Sequence, residues 1–249
     1  MLMRFAFLCL CLCFAVPAHA EDYATLTWPD LLHTLVRFNA LNLETDDRLL
    51  DDYAMITDCD LYRYYYKDDF KWNRLRALIR RSSAKDSANY PVRYHYDHKF
   101  QLDRYDFETK IYRFSPRTQI HNIGDIIIFT FAGPACDNLS PEYMPSSFKA
   151  KFNKPLTIPG LELDPKTTEA LLHYMDAAGN DEHYVYARFN LAIVYIEPLR
   201  KTPPGAGDTP YYQSHNDPGA LVIDTRIDSV QFFKDPDMTQ LVYIFTPPS

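Results

Sequence analysis

The chain has 249 residues, 24% of them charged, and a formal net charge of −7. That acidity argues against nucleic acid and against anionic membrane surfaces as default partners. The length leaves room for a full hydrophobic core that needs no staple to fold.

Residues 1–20 read as a secretory signal peptide. Arg4 supplies a basic start, residues 5–16 are apolar, and Ala18-His19-Ala20 is a small-x-small cleavage site behind Pro17. The expected product begins at Glu21 and is exported, to the periplasm or beyond it. Cys9, Cys11 and Cys13 fall inside the apolar stretch and lack a lipoprotein context, so no lipid anchor is expected. No later stretch has the run of about 20 apolar residues that a membrane span needs, so no transmembrane anchor is expected either. The mature chain keeps two cysteines, Cys59 and Cys136. In an exported protein these most simply form one disulfide, worth about 4 kcal/mol in the chain-entropy model.

Helical signals come first. Thr27 can cap a helix with Asp30 three residues on, and Leu31, Leu32, Leu35 and Phe38 follow at helical spacing. A second helix starts near Thr45 or Asp46, with Leu49, Leu50, Tyr53 and Ile56 as its stripe. Thr57-Asp58-Cys59-Asp60 reads as a break or re-cap, after which Leu61, Tyr64 and Tyr65 continue an apolar face. Asp68 or Asp69 caps a third segment carrying Trp72, Leu75 and Ile79. Arg74, Arg76, Arg80 and Arg81 gather near its end, where the helix dipole favours cations. Residues 82–89 read as a polar linker, the best boundary in the chain.

From Val92 the period becomes two. Val92, Tyr94, Tyr96, Phe100 and Leu102 share a face until the parity flips at Asp103-Arg104, which calls for a bulge or turn. Residues 124–131 form a continuous apolar run, as in a strand covered on both faces. Residues 137–163 look loop-like, with Pro141, Pro145, Pro155 and Pro159. Asp164-Pro165 opens the best-signalled helix, stopped by Gly179. Residues 183–197 and 220–233 are strands, the second with a bulge expected near Asp228. Residues 241–245 make a last short strand. The expected fold is α+β, with a helical region (21–89) packed on a mainly antiparallel β-sheet or sandwich (90–249) that carries one helix near 164–177. The two regions form one compact domain or two closely joined ones.

No catalytic motif stands out. His95, Asp97 and His98 look like a metal or acid–base cluster, but on a strand only His95 and Asp97 share a face, so the expectation is no metal and no cofactor. Tyr211, Tyr212, His215 and Asp217 lie in the Pro/Gly-rich stretch 201–219 and are the candidate ligand-binding residues, since long loops are often functional. Tyr64, Tyr65, Asp68, Asp69 and Trp72 have the composition of a carbohydrate site. Capping by the aspartates and burial of the rings is the competing explanation.

The runs ITDCDLY, YYKDDFKWN and RYDFET resemble a family of exported bacterial proteins labelled only as a domain of unknown function, over residues 46–114. The resemblance implies an exported bacterial protein and assigns no catalytic residue. The expectation is a non-enzymatic binding protein of the cell envelope, its partner an envelope protein or ligand. A hydrolase acting on an envelope polymer and a structural accessory protein are the alternatives. The sequence leaves the oligomeric state open.

Overall fold

A computed structural model describes residues 23–131, 133–145, 147–179, 182–198, 200–201, 212–213 and 220–248. After the two-residue strand β1 (Ala24–Thr25) come four helices: α1 (Trp28–Arg37), α2 (Asp47–Thr57), α3 (Cys59–Tyr65) and α4 (Asp69–Asp86). Each starts where a side-chain oxygen accepts a backbone N–H left over at the helix end. Thr27 takes Asp30 N–H, Asp46 takes Arg48 and Leu49, Asp58 takes Leu61, and Asp68 takes Lys71. Asp58 also closes α2, so one residue ends a helix and begins the next. Helix α4 runs further than the sequence suggests. Residues 82–86 are helical, with the Ser82 and Ser83 hydroxyls donating back to the carbonyls of Ile79 and Arg80 and Ser83 buried. A polar composition here marks a solvated helix end, and the change of period falls at 87–92.

The strands are β2 (Arg93–Asp106), β3 (Ile111–Phe114), β4 (Ile120–Thr130), β5 (Ser147–Ile158) and β6 (Gly160–Glu162). Helix α5 (Pro165–Ala177) follows, then β7 (Tyr184–Ile196), β8 (Arg200–Lys201), β9 (Tyr212–Gln213), β10 (Leu221–Phe233) and β11 (Leu241–Phe245). The main sheet runs β4-β5-β10-β7-β2-β3-β6, with β1 beside β2 and β11 beside β10, while β8 and β9 pair separately. Pairing is antiparallel apart from β1–β2 and β5–β10, and the fold is α+β. Helix α5 begins with Asp164 accepting from Lys166 and Thr167, and Gly179 follows its end at φ 68°.

Both expected parity flips are bulges. Leu102 pairs Phe114 while Tyr105 pairs Tyr112, which puts the irregularity at Asp103-Arg104. Ile227 pairs Leu191 and Ser229 pairs Asn190, so Asp228 is the extra residue. Two strand readings need correction. Residues 137–163 contain β5 and β6, and the alternation Phe148, Ala150, Phe152, then Leu156 and Ile158, is buried on one face. Pro155, one of the prolines that made the stretch look like loop, is tolerated beyond the parallel pairing with β10, which ends at Phe152. The apolar run 124–131 is not covered on both faces. Ile127 is exposed, and register shifts between Ile123 and Asp125 and between Ile127 and Phe129 let consecutive apolar residues pack on the same core.

That core is shared. Leu31, Leu32 and Leu35 of α1 and Leu49 and Leu50 of α2 belong to the same buried cluster as Phe148, Phe189 and Phe232 of the strands. Helix α1 is fixed to β2 through Tyr94, whose hydroxyl donates to Asp30 O (2.9 Å) and hydrogen-bonds Thr34.

Candidate functional site

Helix α2 presents acids in two directions. Asp47 and Asp51, four apart, share a face and meet α4. Asp51 accepts from buried Trp72 Nε1 (2.8 Å) and from Arg76 Nε (2.8 Å), with its second oxygen on Arg76 Nη2 (2.5 Å). Asp47 receives Arg76 (3.3 Å) and Arg80. Asp52 lies one residue round the helix and accepts the backbone N–H groups of Tyr143 and Met144. Burial pushes its carboxyl up to about 6, against the opposing pull of those N–H groups. Cys59 and Cys136 are joined at 2.08 Å, with Cα atoms 5.3 Å apart. They sit in a small second core with Ala54, Met55, Tyr62 and Trp72. Helices α2, α3 and α4 and the segment 133–145 are thus tied together by packing, charge and one cross-link.

Between α2 and α4 lies a cleft of about 610 Å³, within the roughly 300–1,000 Å³ of ligand pockets. Buried Tyr53 and Ala54 form its depth, and half-buried Leu61, Leu75 and Ile79 continue the apolar wall. Exposed Leu78, Arg81 and Lys85 stand at its mouth. Tyr90 and His33 close it with polar rings stacked 4.3 Å apart. Burial lowers the His33 pKa against the weaker pull of Asp30, so the imidazole is neutral at neutral pH. Burial, then the hydrogen bond shared with Tyr90, pushes the Tyr53 phenol far up. Asp58, also at the lining, spends an oxygen on Leu61 N–H. The cleft therefore offers an apolar wall, neutral hydrogen-bonding rings inside, and at its rim two cations together with the Asp58 carboxylate.

The family model for a domain of unknown function, DUF4852, matches residues 46–174, just over half of the chain. The chain belongs to the DUF4852 family. No curated protein and no solved structure matches it. The DUF4852 segment contains α2, α3 and α4 and both cysteines, hence every wall of the cleft except His33.

Of the candidates among the described residues, none of His95, Asp97, His98, Tyr64, Tyr65, Asp68, Asp69 and Trp72 lines this cleft. Tyr211, His215 and Asp217 lie outside the described residues, as does the side chain of Tyr212. His95 Nδ1 is 3.3 Å from Tyr23 O. Asp97 takes both arms of Arg188 across the β2–β7 pair, at 2.9 Å each. His98 packs between the rings of Tyr96 and Phe100 beside a smaller cleft of about 220 Å³, and partial burial lowers its pKa. Among the described residues no group of three or more His, Cys, Asp or Glu is placed to hold a metal. Asp68 caps α4, its pKa lowered chiefly by the Lys71 N–H, and Trp72 is 3% exposed. Tyr64, expected on an apolar face, is instead 72% exposed, and Tyr62 takes the buried place, set edge-on to Trp72. The cleft residues His33, Tyr53 and Tyr90 come from α1, α2 and the connection before β2. No spacing links them, and Arg81 carried only a helix-dipole signal in sequence.

Proposed function

We propose that the protein is an exported bacterial envelope protein that binds a small anionic amphiphile in the α2–α4 cleft without transforming it. The cleft carries this reading: an apolar wall of Ala54, Leu61, Leu75 and Ile79 runs up to Arg81 and Lys85. An alkyl or aromatic body fits the wall, Tyr53 and Tyr90 offer hydrogen bonds, and the cations receive the acidic end. Export is supported by the signal-like residues 1–20 and by the Cys59–Cys136 bond, which oxidising compartments favour. No helix among the described residues is long and apolar enough to cross a membrane.

The test is a titration of the secreted protein with anilinonaphthalene sulfonate, followed by displacement with dodecanoate and with dodecanol. Saturable binding is expected, with dodecanoate the better competitor. Arg81→Glu/Lys85→Glu should weaken dodecanoate about tenfold, as two solvent-facing ion pairs warrant, and leave dodecanol nearly unchanged. Absence of saturable binding, or equal competition by acid and alcohol in both proteins, sinks the proposal.

A further inference from the structure

The corner where α3 meets α4 carries a cluster of exposed rings, including Phe70, the most exposed large apolar side chain among the described residues. Phe70 is 85% exposed and Tyr64 72%, with Tyr65 and Tyr66 half in solvent. Positive charge collects along α4 and the turn before it: residues 61–85 hold eight Lys or Arg against two Asp, a net +6 inside a chain of net −7, with Asp58 and Asp60 just before them. Two of these cations, Arg76 and Arg80, turn inward to Asp51 and Asp47. Arg63 pairs with Asp60, and Lys71 with Asp68. Lys67, Arg74, Arg81 and Lys85 have no carboxylate partner among the described residues. Along α4, Phe70, Arg74, Leu78, Arg81 and Lys85 recur at helical spacing on the side opposite buried Trp72. That outer stripe mixes apolar and cationic side chains, and its last three members are the mouth of the cleft.

A flexible corner would hide its rings by folding them back. This one is held by the Asp51–Arg76 pair, the Tyr62–Trp72 packing and the Cys59–Cys136 bond, so Tyr64 and Phe70 stay presented to solvent. Exposed rings flanked by Lys67 and Arg74, which have no carboxylate partner among the described residues, are the chemistry of a lipid–water boundary, where aromatic rings enter the headgroup layer and cations meet phosphates. A single-stranded polyanion would need a groove to follow, whereas these rings are exposed at the junction of two helices.

We propose that the α3–α4 corner docks the protein on an anionic phospholipid bilayer. Tyr64 and Phe70 enter the headgroup layer, and Lys67, Lys71 and Arg74 face the lipid phosphates. Overall acidity keeps the rest of the molecule off the same surface. Where the amphiphile reading above also holds, docking sets the cleft mouth beside the bilayer, but docking does not depend on it.

Co-sedimentation of the secreted protein with vesicles tests this, using phosphatidylcholine alone and phosphatidylcholine mixed with phosphatidylglycerol. Binding is expected only to the mixed vesicles and is lost at high salt. Lys67→Glu/Arg74→Glu should cut partition by at least about 25-fold, about fivefold per cation lost. Phe70→Ala should cut it about tenfold, the worth of half-burying one phenyl ring. All three positions are exposed, so the melting temperature should hold, and anilinonaphthalene sulfonate binding in the cleft should not change. Equal binding to neutral and anionic vesicles overturns the proposal. So does binding that ignores Phe70→Ala, or loss of vesicle binding to single-stranded DNA at equal phosphate, which would assign the face to a polyanion.

Discussion

Asp52 makes the fold sensitive to pH in a direction opposite to that of most carboxylates. It is 5% exposed and its native pKa is about 6, against an ordinary 3.8. The native state therefore holds the proton more tightly than the unfolded chain does. The stabilisation from this site is complete below about pH 4 and falls as pH rises through 6. Beyond that, ionisation inside the protein has removed about 3 kcal/mol. Asp52→Asn keeps a carbonyl oxygen for the N–H groups of Tyr143 and Met144 but cannot ionise. Urea unfolding of both proteins at several pH values from 4 to 7.5 isolates the site, because other titrating groups cancel in the difference. The variant should gain about 3 kcal/mol on the wild type across that window, most of it between pH 4 and 6. A flat difference would refute the reasoning. A variant that loses ground as pH rises would show that the backbone N–H groups outweigh burial.

Asp51→Ala leaves Trp72 Nε1 without its acceptor and strips Arg76 of its bidentate partner, with Asp47 remaining. The expected cost is about 3 kcal/mol, seen as a lower urea midpoint. Asp51→Asn should recover part of it by keeping the indole bonded. Replacing both Cys59 and Cys136 with serine opens a cross-link spanning 77 residues and should cost about 4 kcal/mol; two titratable thiols in the denatured, unreduced secreted protein would show that the bond does not form there. At Gly160 an added Cβ would lie 2.2 Å from the Tyr112 carbonyl oxygen on β3. Gly160→Ala should therefore destabilise the β3–β6 edge by about 1–3 kcal/mol, measurable by calorimetry.

What could be read from sequence is what depends on neighbours in the chain. Helix caps are contacts across two or three residues: Asp164 is in place, and of the neighbours offered for the other starts the structure uses Asp46, Asp58 and Asp68. The bulges at Asp103-Arg104 and Asp228 were legible because a strand's side-chain period is two, so one extra residue reverses every later position. Strand β5 was hidden because proline frequency outweighed an alternation that its neighbours on both sides enforce. The cleft was not legible at all. Tyr53 looked like one more member of an apolar stripe, Tyr90 fell between the linker and the first strand with no signal of its own, and His33 lies on another helix. Only packing turns their polar ends toward one space. Tyr62 and Tyr64 were indistinguishable by type, and the turn at Asp58 decides which of them faces Trp72.

The family segment and the folded unit do not coincide, and the sheet shows why. Residues 46–174 supply β4 and β5 at one end and β2, β3 and β6 at the other, but no pairing joins these two groups directly. Among the described residues the sheet links them through β10 and β7, which lie beyond the segment and fill the sheet's centre. Phe148 and Ala150 on one side, and Tyr94 and Phe100 on the other, are buried in the one core that those central strands complete. The helical end is different. The acids of α2, the cations of α4 and both cysteines all lie inside the segment and bind one another. The part of the chain that the family model captures is therefore self-consistent at the α2–α4 corner, takes His33 of α1 to close the cleft, and depends on later strands for the platform beneath. A shared function for the family is best sought at that helical corner.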